Sequence, residues 1–245
     1  MLPTLNPETD ALLVIDIQND FIPGGMLQVA GGHEIIPGVA SLASQFKTII
    51  LSQDWHPENH ASFASNHPGA APFTQVQAAY GPQTLWPDHC VQGTSGAEFH
   101  PDLHACGLVN AAALVVRKGM NPDIDSYSAF FENDGVTPTG LAGALRERGI
   151  KRVVCVGLAY DFCVGFSALD AVKSGFEAVV VKDLTRAIAA PVSETRTTAD
   201  EMDDRLAQAG VILTQLADVA AATRRSNFKG YAVMNVVKCN PQQRP

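Results

Sequence analysis

Six short apolar runs punctuate the chain, at 11–17, 48–53, 112–117, 153–158, 178–182 and 211–214. Each is nearly continuous in Val, Ile, Leu or Ala instead of alternating with polar residues, which predicts strands covered on both faces. Between them the apolar positions switch to helical spacing. A crossover helix is expected over 39–46, and another starting in the stretch 159–164, with Cys163 in its first turn, and running to about Gly175, with Ala168, Leu169 and Val172 recurring at helical spacing. Thr137 before Pro138 predicts an N-cap for a helix over 139–148 that Gly149 stops. Ser193 predicts the cap of a helix ending at Gly210, and a short helix is expected at 216–223. Strands separated by helices give an α/β class: a doubly wound, six-stranded, mostly parallel sheet with helices on both faces. One domain is expected over 1–225. In the remaining tail, 226–245, the run at 231–237 reads either as an extra edge strand or as part of a disordered end.

One segment breaks the pattern. From Asp54 to about Phe99 the chain is rich in Pro, Gly, His and aromatic residues with little periodicity, and a loop that long inside a domain is usually functional. The glycine pairs at 24–25 and 31–32 lack the spacing and the strand-to-helix setting of a dinucleotide-binding turn.

Composition narrows the class. With 46% hydrophobic and 17% charged residues, the 245-residue chain has the balance of a folded protein. Its net charge of −8 and the lack of a basic stripe argue against nucleic acid and anionic membranes as partners. The N-terminus lacks the charge and apolar core of an export signal, and no apolar run reaches membrane-spanning length, so a cytoplasmic protein is expected. Five cysteines, odd in number and without C-x-x-C spacing, fit a reducing compartment.

The ionisable residues fall at the strand ends. Asp16 closes the first strand, Asp54 and His56 follow the second, Lys118 the third and Cys163 the fourth. Open parallel sheets bind ligands outside the carboxyl ends of their strands, so four strands deliver an acid, a metal-type pair, an amine and a thiol to one edge. Placed in the first turn of a helix, Cys163 is expected to have a depressed thiol pKa. A thiolate beside Lys118, with Asp16 to take and return a proton, is equipment for acyl transfer. Asp54 and His56, two apart in extended chain, point the same way and could share a cation. A second histidine would complete a site for zinc, iron or manganese, and His60, His67, His89, His100 and His104 are the candidates.

The motifs D-I-Q-N-D-F at 16–21, D-W-H-P at 54–57, W-P-D-H-C-V at 86–91 with Gly93 and Gly96, K-G-M-N-P at 118–122, D-S-Y-S-A-F at 125–130 and G-L-A-Y-D-F-C-V at 157–164 resemble, in order, those of the nicotinamidases (pyrazinamidases) among the isochorismatase-like cysteine hydrolases. The likeness spans about 12–214. It implies a catalytic trio of Asp16, Lys118 and Cys163, and metal ligands Asp54, His56 and His89, with His60 as a weaker further candidate. It also implies one divalent ion, zinc or iron, with manganese a further candidate. Phe21 and Trp86 would sandwich a pyridine ring, with Tyr127 close by. The N–H groups of Ala159 and Cys163 would form an oxyanion hole, with a cis peptide before Ala159. Tyr160 stands where many members have threonine and is expected either at the pocket mouth or without effect.

The activity so implied is hydrolysis of nicotinamide, and of pyrazinamide, to the acid and ammonia, in a monomer or a homo-oligomer. Three alternatives make different demands on the sequence. Another amidase of the superfamily, acting on a carbamoyl compound or other small amide, would not need the Phe21/Trp86 pair or a ring-binding metal. A non-haem iron oxygenase would share the two-histidine, one-carboxylate set but is disfavoured by the parallel strand pattern. A non-catalytic binding member would have lost one of Asp16, Lys118 and Cys163, and all three are present.

Overall fold

A computed structural model of the chain describes residues 4–219. Strand β1 (Asp10–Ile15) leads through short 3-10 turns to helix α1 (Ile36–Ala43) and β2 (Thr48–Asp54). The long segment after β2 contains a hairpin, β3 (Gln75–Ala78) and β4 (Gly81–Thr84), and the short helices α2 (Pro101–Ala105) and α3 (Leu108–Ala111), before β5 (Leu114–Lys118). Helix α4 (Leu141–Glu147), β6 (Arg152–Leu158), α5 (Gly165–Lys173), β7 (Glu177–Arg186), α6 (Thr198–Gln208) and β8 (Ile212–Thr214) follow.

Six strands form one parallel sheet in the order β5-β2-β1-β6-β7-β8, the doubly wound α/β class that the apolar runs predict. The pleat sends alternate residues to opposite faces. Leu12, Val14, Val154 and Val156 join a core with α1 and with Trp86 and Phe99 of the long segment. Leu13, Ile15, Val153 and Cys155 join a second core under α4, α5 and α6. Continuous apolar runs are therefore required, because neither face of these central strands meets water.

Strand order reverses between β1 and β6, the two neighbours at the centre of the sheet. A crevice opens outside such a switch point. The approach there is close: a Cβ on Gly157, which has φ +116°, would lie 2.1 Å from the Ile15 carbonyl oxygen, so only glycine fits.

Several element ends differ from expectation. Helix α4 starts at Leu141 after Gly140; Thr137 instead takes part in a turn whose side chain and backbone bond Asp134. Helix α6 is capped by Thr197 in a capping box with Asp200, not by Ser193. Cys163 lies in a π-helical turn (Tyr160–Val164), in which the Val164 N–H reaches back to the Ala159 carbonyl, and α5 begins only at Gly165. Strand β7 extends through Arg186, past the expected 182, by way of an irregularity in its pairing with β6. The tail at 226–245 and the end of the predicted helix at 216–223 lie outside the described residues.

Candidate active site

Asp16 follows β1 with φ +49°, a left-handed conformation that ends the strand and that aspartate tolerates better than most residues. Asp54 and Lys118 are the last residues of β2 and β5 and stand opposite each other in register. The turn after β6 supplies Cys163. Strand placement alone therefore brings together side chains up to 147 positions apart, from Asp16 to Cys163.

Lys118 sits at the centre, 2% exposed. Its Nζ donates to Asp54 Oδ1 at 2.5 Å, to the Ser126 carbonyl at 2.9 Å and to Cys163 Sγ at 3.4 Å. It also forms an ion pair with Asp16 Oδ2 at 2.9 Å. Ser52 donates to the other oxygen, Oδ1, at 2.7 Å. Carboxylate oxygens of Asp16 and Asp54 and the Cys163 sulfur lie within 4.8 Å of one another.

The electrostatics correct one expectation. Burial pushes the Cys163 thiol well above its ordinary range; Lys118 offsets part of this, while Asp16 and Asp54 add to it. This direction is opposite to the depressed thiol expected from the first turn of a helix, and Cys163 lies in the π turn ahead of α5. Burial likewise raises Asp16, with Lys118 opposing. For Asp54, burial is outweighed by Lys118 and His56, which hold it below the usual carboxylate range. Burial would lower Lys118, but Asp16 and Asp54 drive it well above its ordinary value. The ammonium is thus fixed, and the mobile proton belongs to Cys163 and Asp16.

A second cluster adjoins the first through Asp54. Asp54 Oδ2 lies 3.5 Å from His56 Nε2 and 3.9 Å from His89 Nε2. His56 Nδ1 donates to the Gly119 carbonyl at 2.9 Å and His89 Nδ1 to the Pro87 carbonyl at 2.7 Å. A carbonyl only accepts, so each Nδ1 carries a proton and Nε2 is the nitrogen presented to Asp54. The His56 ring packs against Gly119 so closely that a Cβ there would fall 2.3 Å from it. His60 is fully buried, with its ring centroid 4.4 Å from that of His56. Its Nδ1 pairs with Ser62 Oγ at 2.7 Å, and its Nε2 has no hydrogen-bond partner among the described residues.

Burial, with His56 second, pushes His60 and His89 down to about 4. Burial also acts to lower His56, but Asp54 outweighs it and raises that residue. Two neutral imidazoles, an orphaned buried nitrogen and a carboxylate held ionised fit a divalent cation. Asp54, His56 and His89 offer ligand atoms within 4.8 Å of one another, as do His56, His60 and Asp125. His67, His100 and His104 belong to neither group.

Both clusters open into a cavity of about 340 Å³, mouth included, lined by Phe21, Trp86, Tyr127, Ala159 and Cys163 as the sequence anticipates. Asp54 and His89 reach its wall. Leu27, Asp125, Phe162 and Ile188 also line it, and sequence reasoning assigned them nothing. Asp125 and Phe162 lie inside recognised motifs, which was the available signal; Leu27 and Ile188 are apolar loop residues with none. The Phe162 ring stands edge-on to Trp86 at 5.0 Å and to Tyr127 at 5.5 Å. The peptide bond from Leu158 to Ala159 is cis. Tyr160 does not line the cavity. It is buried in the opposite core, and its hydroxyl bonds Asp203 of α6, because the turn that presents Phe162 and Cys163 sends Tyr160 the other way.

An aromatic-lined cleft with a thiol, an acid and an amine at a switch point defines an α/β hydrolytic class, and the chain belongs to the family of the isochorismatase domain, whose model matches residues 10–218. Within it, the chain is 55% identical over 178 residues to the nicotinamidase of Acinetobacter baylyi, covering 73% of this chain and 81% of that protein. A nicotinamidase and pyrazinamidase structure from Acinetobacter baumanii superposes with a TM-score of 0.82 at 48% identity, covering 88% of this chain and 100% of that one. The pyrazinamidase of Pyrococcus horikoshii in complex with zinc gives 0.65 at 34% identity, covering 85% and 99%.

Proposed function

We propose that this chain is a nicotinamidase, hydrolysing nicotinamide to nicotinate and ammonia through a thioester on Cys163, with pyrazinamide as a second substrate. The observation that carries the reading is the position of Lys118 Nζ, 2.9 Å from Asp16 and 3.4 Å from the sulfur of Cys163, which lines the aromatic cavity. Family membership and the names of the relatives support the choice of amide.

In this reading Phe21 and Trp86 take the faces of the pyridine ring and Tyr127 packs nearby. The Cys163 sulfur attacks the carboxamide carbon as its proton passes to Asp16, whose raised affinity for a proton suits it to receive one. The N–H groups of Ala159 and Cys163 hold the oxyanion; one such donor is typically worth about 3 kcal/mol. Asp16 returns the proton to the departing ammonia; a water, deprotonated by Asp16, then attacks the acyl carbon, and as the C–S bond breaks Asp16 passes that proton back to the Cys163 sulfur, releasing nicotinate. Lys118 keeps both groups in place and stabilises negative charge on the sulfur.

Asp54, His56 and His89 would hold a divalent cation, zinc, iron or manganese, with His60 alongside. When bound, the ion supplies a Lewis-acid contact that orients the ring nitrogen. Four buried free thiols among the described residues suit a reducing compartment such as the cytoplasm.

The test is ammonia release from nicotinamide by the purified protein, before and after chelation, with the metal identified by elemental analysis. Turnover that falls on chelation and returns with the ion supports the reading. No release from nicotinamide at any metal loading sinks it.

A further inference from the structure

The turn at Tyr160–Val164 has three consecutive side chains with different destinations. Phe162 and Cys163 line the cavity. Asp161, 3% exposed, points to the segment between β7 and α6. There its Oδ1 accepts the Ile188 N–H at 2.9 Å and its Oδ2 accepts the Ala189 N–H at 2.8 Å, together with the Thr198 hydroxyl. Thr198 Oγ1 in turn accepts the Ala190 N–H at 3.0 Å. Three successive backbone N–H groups thus converge on one carboxylate, the third through a hydroxyl. Ala189 is held at φ +54°, in the left-handed region that non-glycine residues seldom occupy. Ile188, the first residue so fastened, is itself a wall of the cavity beside Ala159, Phe162 and Cys163.

We infer that Asp161 is a positioning residue that locks the Ile188 wall to the turn carrying Cys163, and so sets the distance between the bound ring and the attacking sulfur. The inference rests on the amidase reading above. Loops are ordinarily the mobile part of a site; here a buried carboxyl group accepting three hydrogen bonds ties the loop to the same five residues that place the nucleophile. The ring and the sulfur then share one frame, which is what a near-attack geometry needs. Asp161 touches neither substrate nor the reacting atoms in this account.

The experiment is a double-mutant cycle of Asp161→Asn and Ile188→Ala, read in kcat and KM for nicotinamide, with amide hydrogen exchange on the full chain. An asparagine keeps the shape but presents an NH2 where an acceptor is needed. Asp161→Asn should lower kcat about tenfold while KM changes less, and it should speed exchange at 188–190 without altering β6. Because Asp161 acts through Ile188, the double variant should be no worse than about the weaker of the two single variants. Effects on kcat/KM that simply multiply, or unchanged exchange at 188–190, would overturn the inference. Thr198→Val removes one donor and the relay to Ala190; it should shift kcat and exchange in the same direction by less, and it carries the cycle with Ile188→Ala should Asp161→Asn fail to fold. A wild-type protein silent on nicotinamide would defeat the amidase reading alone, since the exchange arm needs no substrate to judge the clamp.

Discussion

Burying an ammonium ion costs several kcal/mol unless partners replace its water, and the Lys118 side chain, at 0% exposure, has Asp16, Asp54, a carbonyl and a sulfur around it. Two carboxylates against one ammonium leave the pair of clusters short of positive charge, and the histidine set beside Asp54 is where a cation would make up the difference. Cys163→Ala removes the sulfur without unbalancing those charges. It should abolish ammonia release while leaving metal content intact, and retained turnover would strip Cys163 of its role. His89→Ala should lose the ion by elemental analysis, because only His56 and Asp54 would remain of that ligand set; full occupancy would transfer the ligand role to His60. At this scale the convergence of Asp16, Lys118 and Cys163 on one sheet edge was legible, since acid, amine and thiol each follow a strand end. Their proton affinities were not. The upward shift at Cys163 comes from burial among groups contributed by β1, β2 and β5, and no local pattern reports how deep a side chain will lie.

β1 and β6 pass each other closely at the centre of the sheet. Gly157→Ala would drive a methyl to within 2.1 Å of the Ile15 carbonyl oxygen, at a backbone φ of +116°. Neither strand can yield, since both are covered on two faces, so the change should cost about 3 kcal/mol or more, read as a fall in the urea midpoint at unchanged slope. The element starts that sequence reasoning misplaced share one cause. Around α6 the chain offers Ser193, Thr195, Thr197 and Thr198 within six positions, all competent caps by local chemistry. Thr197 is selected because the Thr198 hydroxyl is committed to Asp161 and the Thr198 N–H to Ala190. Likewise Thr137 is taken by Asp134, which leaves α4 to begin after Gly140. The hairpin β3–β4 escaped notice because its strands are short and largely polar, with partial exposure.

Across the whole molecule the two cores bury thiols that the unfolded chain would expose. Burial alone pushes Cys155, between β1 and β7 in the sheet, up to about 12 from 9.0, and Cys163 is raised as well. A folded-state pKa above the unfolded value means that the folded chain binds more protons in between. Stability is therefore unaffected by these groups below about pH 9 and falls as pH rises from there toward about 12. Lys118, raised above 10.5, adds to the loss at the top of that window. Urea midpoints at about pH 8 and about pH 10 should show the decline, and Cys155→Ala should flatten it. A midpoint that holds or rises over this interval would contradict the burial argument.

Sequence by itself determined the sheet class, the six strands of the parallel sheet and the side chains available for chemistry, because continuous apolar runs suit strands whose two faces are both covered, and reactive residues recur where those runs stop. Only the tertiary structure decided which way each side chain of the 160–164 turn points, which histidine nitrogens stay open, and that Asp161 holds a loop whose residues lie 27 and 28 positions away. Direction, depth and distant pairing are set by what packs against a residue, and the neighbours along the chain do not specify those partners.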